Sequence, residues 1–346
     1  MPLPPHTVRS LQGTLRSSKD PEVERAFSEV KQFATHSEMT SPAILIVGPT
    51  AVGKTAISLG LAERYEGEIV IADSLQVYRH MDIGTAKPTA EEREGVPHHL
   101  LDIADPDQPF TAADYSRLAE AKVREIRQRG HTPFLVGGCG LYIRAWADSL
   151  FPGPSESPKI RRRLRQLASQ GGGKGLHQRL FMLDPASADK IHPNDTYRIL
   201  RALEIFEASG KRPSEIRGAQ WARRSSGPFL LLGLSRPRAS LYRRIEERID
   251  SMIKEGFLEE VEFLMGRFSA DCKPFQGLGY KHMIEYLQGR CEFEEAVSRW
   301  KRDTRRYAKR QITWFSRDDR VHWISLEEDR EEAWVRIQSL IEANLP

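Results

Sequence analysis

The chain has 346 residues, 39% of them hydrophobic, with 52 Lys and Arg against 48 Asp and Glu. That length exceeds what one small core organises and implies two domains, or one domain with a large insert. A net charge of only +4 excludes a uniformly basic coat, so any polyanion-binding surface has to come from local clusters of Arg and Lys.

Three widely spaced cysteines, Cys139, Cys272 and Cys291, form no C-x-x-C pair, which argues against a zinc site or a disulfide framework and fits a reducing cytoplasm. No apolar run approaches the ~20 residues of a membrane span, and the N-terminus lacks a signal-peptide core. A soluble, cytoplasmic protein with no membrane partner is expected.

Residues 1–40 are polar, with MPLPP at the start and one short helical pattern over Glu22 to Phe33. They are expected to form a disordered extension, and Met39 offers an alternative start. Ile44 to Val47 is apolar on both faces, as a buried parallel strand requires. Gly48 to Thr55 then fits G-x-x-x-x-G-K-[ST], a loop whose backbone N–H groups cradle phosphate oxygens. A helix over Ala56 to Tyr65 turns its positive end on the same anion. Within the loop (Gly48, Pro49, Thr50, Ala51, Val52, Gly53, Lys54 and Thr55) Lys54 supplies a point charge and the Thr55 hydroxyl reaches Mg2+. The Thr50 hydroxyl faces either the phosphates or whatever reacts beside them. The identity of the phosphate compound is left open.

A second strand, Glu68 to Ala72, ends at Asp73 and Ser74. The connection from Leu75 to Pro109 has the length that usually carries function. His98 and His99 are adjacent, so on an extended segment they point to opposite sides; that is poor geometry for one metal, and they read as structural. Thr111-Ala-Ala-Asp114 has the form of a capping box opening a helix that ends at Gly130. A third strand, Pro133 to Val136, runs into Gly137-Gly138-Cys139-Gly140 and a helix from Leu141 to about Leu150.

The repeated strand, turn and helix predict an α/β fold, a P-loop NTPase-like doubly wound parallel sheet, with ligands at the C-terminal strand ends. Pro152, Pro154, Pro158 and Gly171-Gly172-Gly173 punctuate two short helical patterns, Pro158 to Ser169 and Leu176 to Ile191. These predict a helical insert over 151–192 between a first core part, 41–150, and a continuation with basic C-terminal helices, 193–346. In that continuation Asp195 caps a helix through Ala208, Phe229 to Leu234 is a strand, and the remainder reads as helical over Ser240 to Glu255, Phe257 to Phe268, Lys281 to Leu287 and Glu292 to Phe315.

The strand at Val136 ends in glycines where P-loop nucleotidases carry a Mg2+-binding Asp, so triphosphate chemistry lacks an expected part. Asp73 is read two ways: as a turn cap, or as a general base or Mg2+-water ligand beside the loop. Arg244 and Arg248, at i and i+4 on a helix, repel each other by roughly 0.2–0.5 kcal/mol and need either acids such as Glu246 and Glu247 or an anion. From Arg299 to Arg310, seven of twelve residues are Lys or Arg, with Trp300 and Tyr307 on one face. This is either a solvated face with core aromatics or a nucleic-acid footprint. Arg161-Arg162-Arg163-Leu164-Arg165 is a second basic patch.

With GPTAVGKT, DSLQVY, MDIGTAKP, VPHHLLDI, LVGGCGLY, HPNDTYRILRALEIF, GLGYK and KRQITWF in this order, the chain from about Ala43 onward resembles the bacterial tRNA dimethylallyltransferases. The resemblance implies transfer of a dimethylallyl group from dimethylallyl diphosphate to the exocyclic amine of the adenosine 3′ of the tRNA anticodon. It also implies a need for Mg2+ and no consumption of ATP. It makes Asp73 the base, Lys54, Thr55 and Arg248 the groups that bind the departing diphosphate, and Thr50 a neighbour of both substrates. The target base would leave its stack and enter a channel between sheet domain and insert.

The positions matching the family's contacts to the tRNA anticodon stem-loop are Asp73, Ser74, Leu75 and Gln76; Tyr197, Arg198, Ile199, Leu200 and Arg201; Gln276, Gly277, Leu278, Gly279, Tyr280 and Lys281; and Cys139 and Arg161. Cys139 stands where the family usually has Thr, a weaker hydrogen-bonding group. A monomer is expected. The competing readings are a P-loop kinase of a nucleoside or small metabolite, an adenylate prenyltransferase, and a tRNA-binding module without catalysis.

Overall fold

The computed structural model describes residues 41–148, 157–220, 227–326 and 330–345, so the expectations for 1–40 and for Pro152 and Pro154 lie outside the described residues. Six strands, β1 (Ala43–Val47), β2 (Gly67–Ile71), β3 (His98–His99), β4 (Thr132–Gly137), β5 (Phe229–Ser235) and β6 (Val321–Ser325), form one sheet in the order β3-β2-β4-β1-β5-β6. Every pairing is parallel, with Ile44 beside both Phe134 and Leu230. All five β1 residues are buried, which places their strand at the centre and delivers the loop after Val47 to the middle of the C-terminal edge.

The helices are α1 (Lys54–Arg64), α2 (Ala112–Gln128), α3 (Gly140–Ala147), α4 (Pro158–Leu183), α5 (Pro185–Ala188), α6 (Thr196–Ser209), α7 (Pro213–Gln220), α8 (Arg238–Lys254), α9 (Phe257–Met265), α10 (Tyr280–Leu287), α11 (Phe293–Phe315) and α12 (Arg330–Glu342). Helix α2 opens with the expected capping box: Asp114 N–H donates to Thr111 Oγ1 (3.2 Å) and Thr111 N–H to Asp114 Oδ2 (3.1 Å). Asp195 likewise caps α6 through Arg198 N–H at 3.1 Å.

Three expectations need correction. The two helical patterns of the insert are one helix, α4, which runs through Gly171 to Gly173. The burial of Leu164, Leu176 and Leu180 outweighs the ~1 kcal/mol per residue by which Gly disfavours helix. Helix α6, assigned to the sheet domain, contributes Ile199, Ala202 and Leu203 to that same second core instead, so this layer extends past residue 192. The C-terminal region is not wholly helical, because β6 pairs with β5; its exposed His322 interrupts the apolar run that would have announced it. Helix α7 and the two-residue β3 were also not expected.

His99 belongs to a buried polar cluster near the other end of β2, as a structural role requires. Glu68, 3% exposed, accepts from Arg129 Nε and Nη2 (3.0 and 2.7 Å), His99 Nε2 (2.6 Å) and His131 Nδ1 (2.7 Å). Burial raises the carboxyl's pKa, but these donors more than offset it and hold it at about 2. A carboxyl held below its unfolded value stabilises the fold above that value and loses its contribution as pH falls through the folded one. Glu68→Gln is therefore expected to cost roughly 2–3 kcal/mol at pH 7, and the deficit should shrink as pH falls from about 4.5 toward 2. Urea unfolding of both forms across that range checks it; a deficit independent of pH would refute the assignment.

Candidate active site

The loop after β1 is a row of peptides whose carbonyl groups are bound by basic side chains, one of them the loop's own. Lys54 Nζ donates to Gly48 O (3.1 Å) and Pro49 O (2.9 Å), Arg244 Nε to Ala51 O (3.0 Å) and Arg236 Nε to Val52 O (2.9 Å). Gly48 has φ +146°, and a Cβ there would fall 2.6 Å from Leu234 O of β5, so only glycine lets the chain turn this tightly. Among the described residues no group accepts from the N–H of Ala51, Gly53, Lys54 or Thr55. These donors, at the first turn of α1, form an anion cradle.

The cradle opens into a cavity of about 1060 Å³. Thr50, Lys54, Thr55, Asp73, Arg248 and Tyr307 are among its lining residues. The turn-cap reading of Asp73 is seen directly: Oδ1 accepts from Leu75 N–H (2.9 Å) and Gln76 N–H (3.4 Å), while no donor among the described residues reaches Oδ2. Asp73 therefore caps its turn with one oxygen and keeps the other for the cavity. Burial lowers the Lys54 pKa to about 8, helped by repulsion from Arg248 and opposed by Asp73. Burial also lowers the Arg248 pKa.

Glu246 and Glu247 do not neutralise the arginine pair: Glu246 binds Arg305 and Glu247 lies 4.0 Å from Arg243. Arg244 holds the loop, and Arg248 has no ion-pair partner among the described residues. Thr55 hydroxyl, exposed in the cavity, and Asp73 Oδ2 are hard oxygen donors of the kind that share a divalent cation with substrate oxygens and water.

The roof of the cavity comes from the long connection. Lys87 Nζ donates to Asp102 Oδ1 (2.6 Å), Asp82 Oδ1 (2.5 Å) and Tyr78 O (2.9 Å), cross-linking segments that hold His80, Ala86, Leu100 and Asp102 at positive φ. Glu260 of α9 fixes the same segment by accepting from the N–H groups of Asp82, Ile83 and Gly84 and from Tyr280 Oη.

The expected contact positions fall into two groups. In the first, Cys139 stands at the N-cap position of α3 beside Ser74 without a side-chain capping bond, and burial pushes its thiol up to about 11, so it stays neutral. Segment Gln276 to Lys281 packs on the Asp73 to Gln76 turn, where a Cβ at Gly277 would lie 2.7 Å from Leu75 Cδ1. Gln276 and Lys281 are exposed, whereas the side chain of Tyr280 is buried.

The other group lies on the insert. Arg161 and Arg201 both donate to the buried Glu204 carboxylate (2.9 and 3.0 Å), Tyr197 is 64% exposed, Arg198 pairs with Asp195, Ile199 is buried and Leu200 packs beside it. Among the described residues none of the insert lines the cavity, whose walls are the loop and the helix after it, the 76–102 connection, the strand ends, α8 and α11, where a channel between sheet and insert was expected.

Sequence reading missed Lys87, Glu260, Arg236 and Gln311 as builders of the site. The motifs MDIGTAKP and KRQITWF contain two of them, but neither spacing nor charge shows what they touch. Trp300 is a core aromatic, whereas Tyr307 on the same helix faces the cavity.

A parallel sheet with a phosphate loop at its centre, a strand-end carboxylate two strands away and no acid at the end of the intervening β4 defines a P-loop transferase rather than a nucleotidase of the usual kind. Residues 76–318 match the family model described as IPP transferase, and the chain belongs to that family. It is 48% identical over 286 residues to tRNA dimethylallyltransferase 2 of Geotalea uraniireducens, covering 82% of this chain and 92% of that one. It is 49% identical to the tRNA dimethylallyltransferase of Geobacter sulfurreducens, covering 81% and 91%.

Among solved structures, the full-length tRNA isopentenylpyrophosphate transferase of Bacillus halodurans shares 42% identity at a TM-score of 0.66, covering 88% of this chain and 98% of that one. A eukaryotic dimethylallyltransferase acting on tRNA shares 28% identity at 0.77, covering 89% and 81%. A kinase reading is not favoured by these relatives. No helix among the described residues is long and apolar enough to cross a membrane.

Because Lys54 loses its charge as pH rises through about 8, inorganic pyrophosphate is expected to bind with uptake of a proton above that pH. Its affinity should fall by up to tenfold per pH unit there, relative to a Lys54→Arg variant that stays charged. Calorimetry in buffers of different ionisation enthalpy measures both effects. Parallel pH profiles for the two proteins would contradict the assignment.

Proposed function

We propose that this chain transfers the dimethylallyl group of dimethylallyl diphosphate to the N6 amine of the adenosine 3′-adjacent to the tRNA anticodon, releasing diphosphate. The observation that carries this reading is the meeting, in one cavity, of an anion cradle with the free oxygen of Asp73. Membership of the family supports it.

The free N–H groups, Lys54 and Arg248 hold the diphosphate and take up its growing charge as the allylic C–O bond breaks. The target base is unstacked so that its amine nitrogen reaches the allylic carbon in line. As the new C–N bond forms, Asp73 Oδ2 accepts the amine proton. Thr50 stands between the two partners. Thr55, with Asp73 through water, would hold Mg2+, which when bound screens the diphosphate oxygens. Tyr197, Arg198, Gln276, Lys281 and the basic face of α11 present side chains to the tRNA backbone.

Purified protein incubated with labelled dimethylallyl diphosphate should label unmodified tRNA and not AMP, with activity lost on chelation and restored by Mg2+. Lys54→Ala should abolish turnover. Asp73→Ala should lower kcat by about 10²–10⁴ while tRNA binding survives. Normal turnover in Asp73→Ala removes the base assignment; efficient labelling of AMP, or phosphoryl transfer from ATP, removes the function.

A further inference from the structure

Helix α11 carries seven Lys and Arg between Arg299 and Arg310, yet Gln311 on it is turned inward and only 6% exposed. Both ends of its amide are used. Oε1 accepts from Thr50 N–H at 2.9 Å, and Nε2 donates to Gly138 O at 2.9 Å. Those partners fix the amide's orientation, since a reversed amide would set nitrogen against N–H and oxygen against C=O.

Thr50 N–H is the one loop donor that a side chain accepts among the described residues; Val52 N–H turns back to Pro49 O, and those of Ala51, Gly53, Lys54 and Thr55 have no acceptor there. The fit is close as well: a Cβ on Gly138 would lie 2.2 Å from Nε2. Thus one side chain joins three parts of the site: the phosphate loop, the glycine turn after β4 and the basic helix.

We propose that Gln311 is a positioning residue for prenyl transfer, resting on the function proposed above. By holding the Thr50 peptide it sets the direction of the Thr50 hydroxyl and of the neighbouring N–H groups that meet the diphosphate. It also ties the loop's position to the helix that presents the nucleic acid. It touches neither substrate and acts through the loop.

Three variants and two readouts test this. Gln311→Leu keeps the volume and removes both hydrogen bonds. Gly138→Ala keeps Gln311 but drives its amide off the turn. Gln311→Glu keeps the acceptor for Thr50 N–H and can donate to Gly138 O only when protonated.

The first two are expected to lower kcat by about tenfold to a hundredfold, the penalty for a misplaced reacting group, with KM for tRNA within twofold. Their double variant should be no worse than the weaker single, because both break one connection. The kcat of Gln311→Glu relative to the unaltered protein should rise as pH falls. Inorganic pyrophosphate affinity, measured by calorimetry, should drop in step with kcat.

Wild-type kcat and pyrophosphate affinity in Gln311→Leu would overturn the proposal, as would additive losses in the double variant. Should the unaltered protein fail to prenylate tRNA, the functional reading falls, while pyrophosphate affinity alone still decides the role of Gln311. If Gln311→Leu does not fold, Gly138→Ala and the pH response of Gln311→Glu decide it.

Discussion

The site depends on one constraint: a peptide group cannot point its N–H and its C=O the same way. For the loop to offer donors to an anion, its carbonyl oxygens have to face protein, and each needs a partner there. Arg236 supplies this partner for the Val52 carbonyl, whose peptide carries the Gly53 N–H, while Lys54 and Arg244 bind the carbonyls of Gly48, Pro49 and Ala51 and hold the rest of the loop in place. Cationic partners suit the task, since a charged donor makes a stronger hydrogen bond than a neutral one. They also raise the local positive potential without occupying the N–H side. The cradle is therefore preorganised by residues up to about 200 positions away in the chain, as the Arg236 and Arg244 contacts require.

The same constraint accounts for the order of the sheet. Strand β1 lies between β4 and β5, so the loop emerges flanked by the glycine turn after β4 and by the start of α8 after β5. Arg236 and Arg244 follow β5 directly, and Gly138 follows β4 directly. Helix α11, arriving much later in the chain, closes the remaining side through Gln311.

Much of this was legible in the residues. The strand run Ile44 to Val47, the phosphate loop, the Asp73 turn, the capping box at Thr111 and the strands at Pro133 and Phe229 are local patterns, and local physics fixes them. What escaped reading was non-local. Gly171 to Gly173 read as a break because Gly disfavours helix, but the leucines on either side bury against α6 and carry the helix through. The boundary of the insert was misplaced for the same reason: Ile199 and Leu203 are apolar, and nothing in their sequence says which of two cores they join. Lys87, Glu260 and Gln311 are ordinary polar residues until their partners, five to 261 positions away, are known.

Arg248 shows why the arrangement favours a multiply charged anion. Its neighbour one turn earlier, Arg244, is committed to Ala51 O, and the two acids between them are committed to Arg243 and Arg305. Burial and a second cation, Arg244, both disfavour the guanidinium charge, and Asp73 opposes them more than any other acid. Lys54 is under the same pressure, depressed to about 8 with Arg248 as a cause. Two cations thus face one carboxylate across a partly dry cavity, an imbalance that costs folding free energy in the free protein. On the function proposed, a diphosphate would remove that cost on binding and, gaining charge as it leaves the allylic carbon, would remove more of it, so the relief would be greatest at the step that breaks the bond.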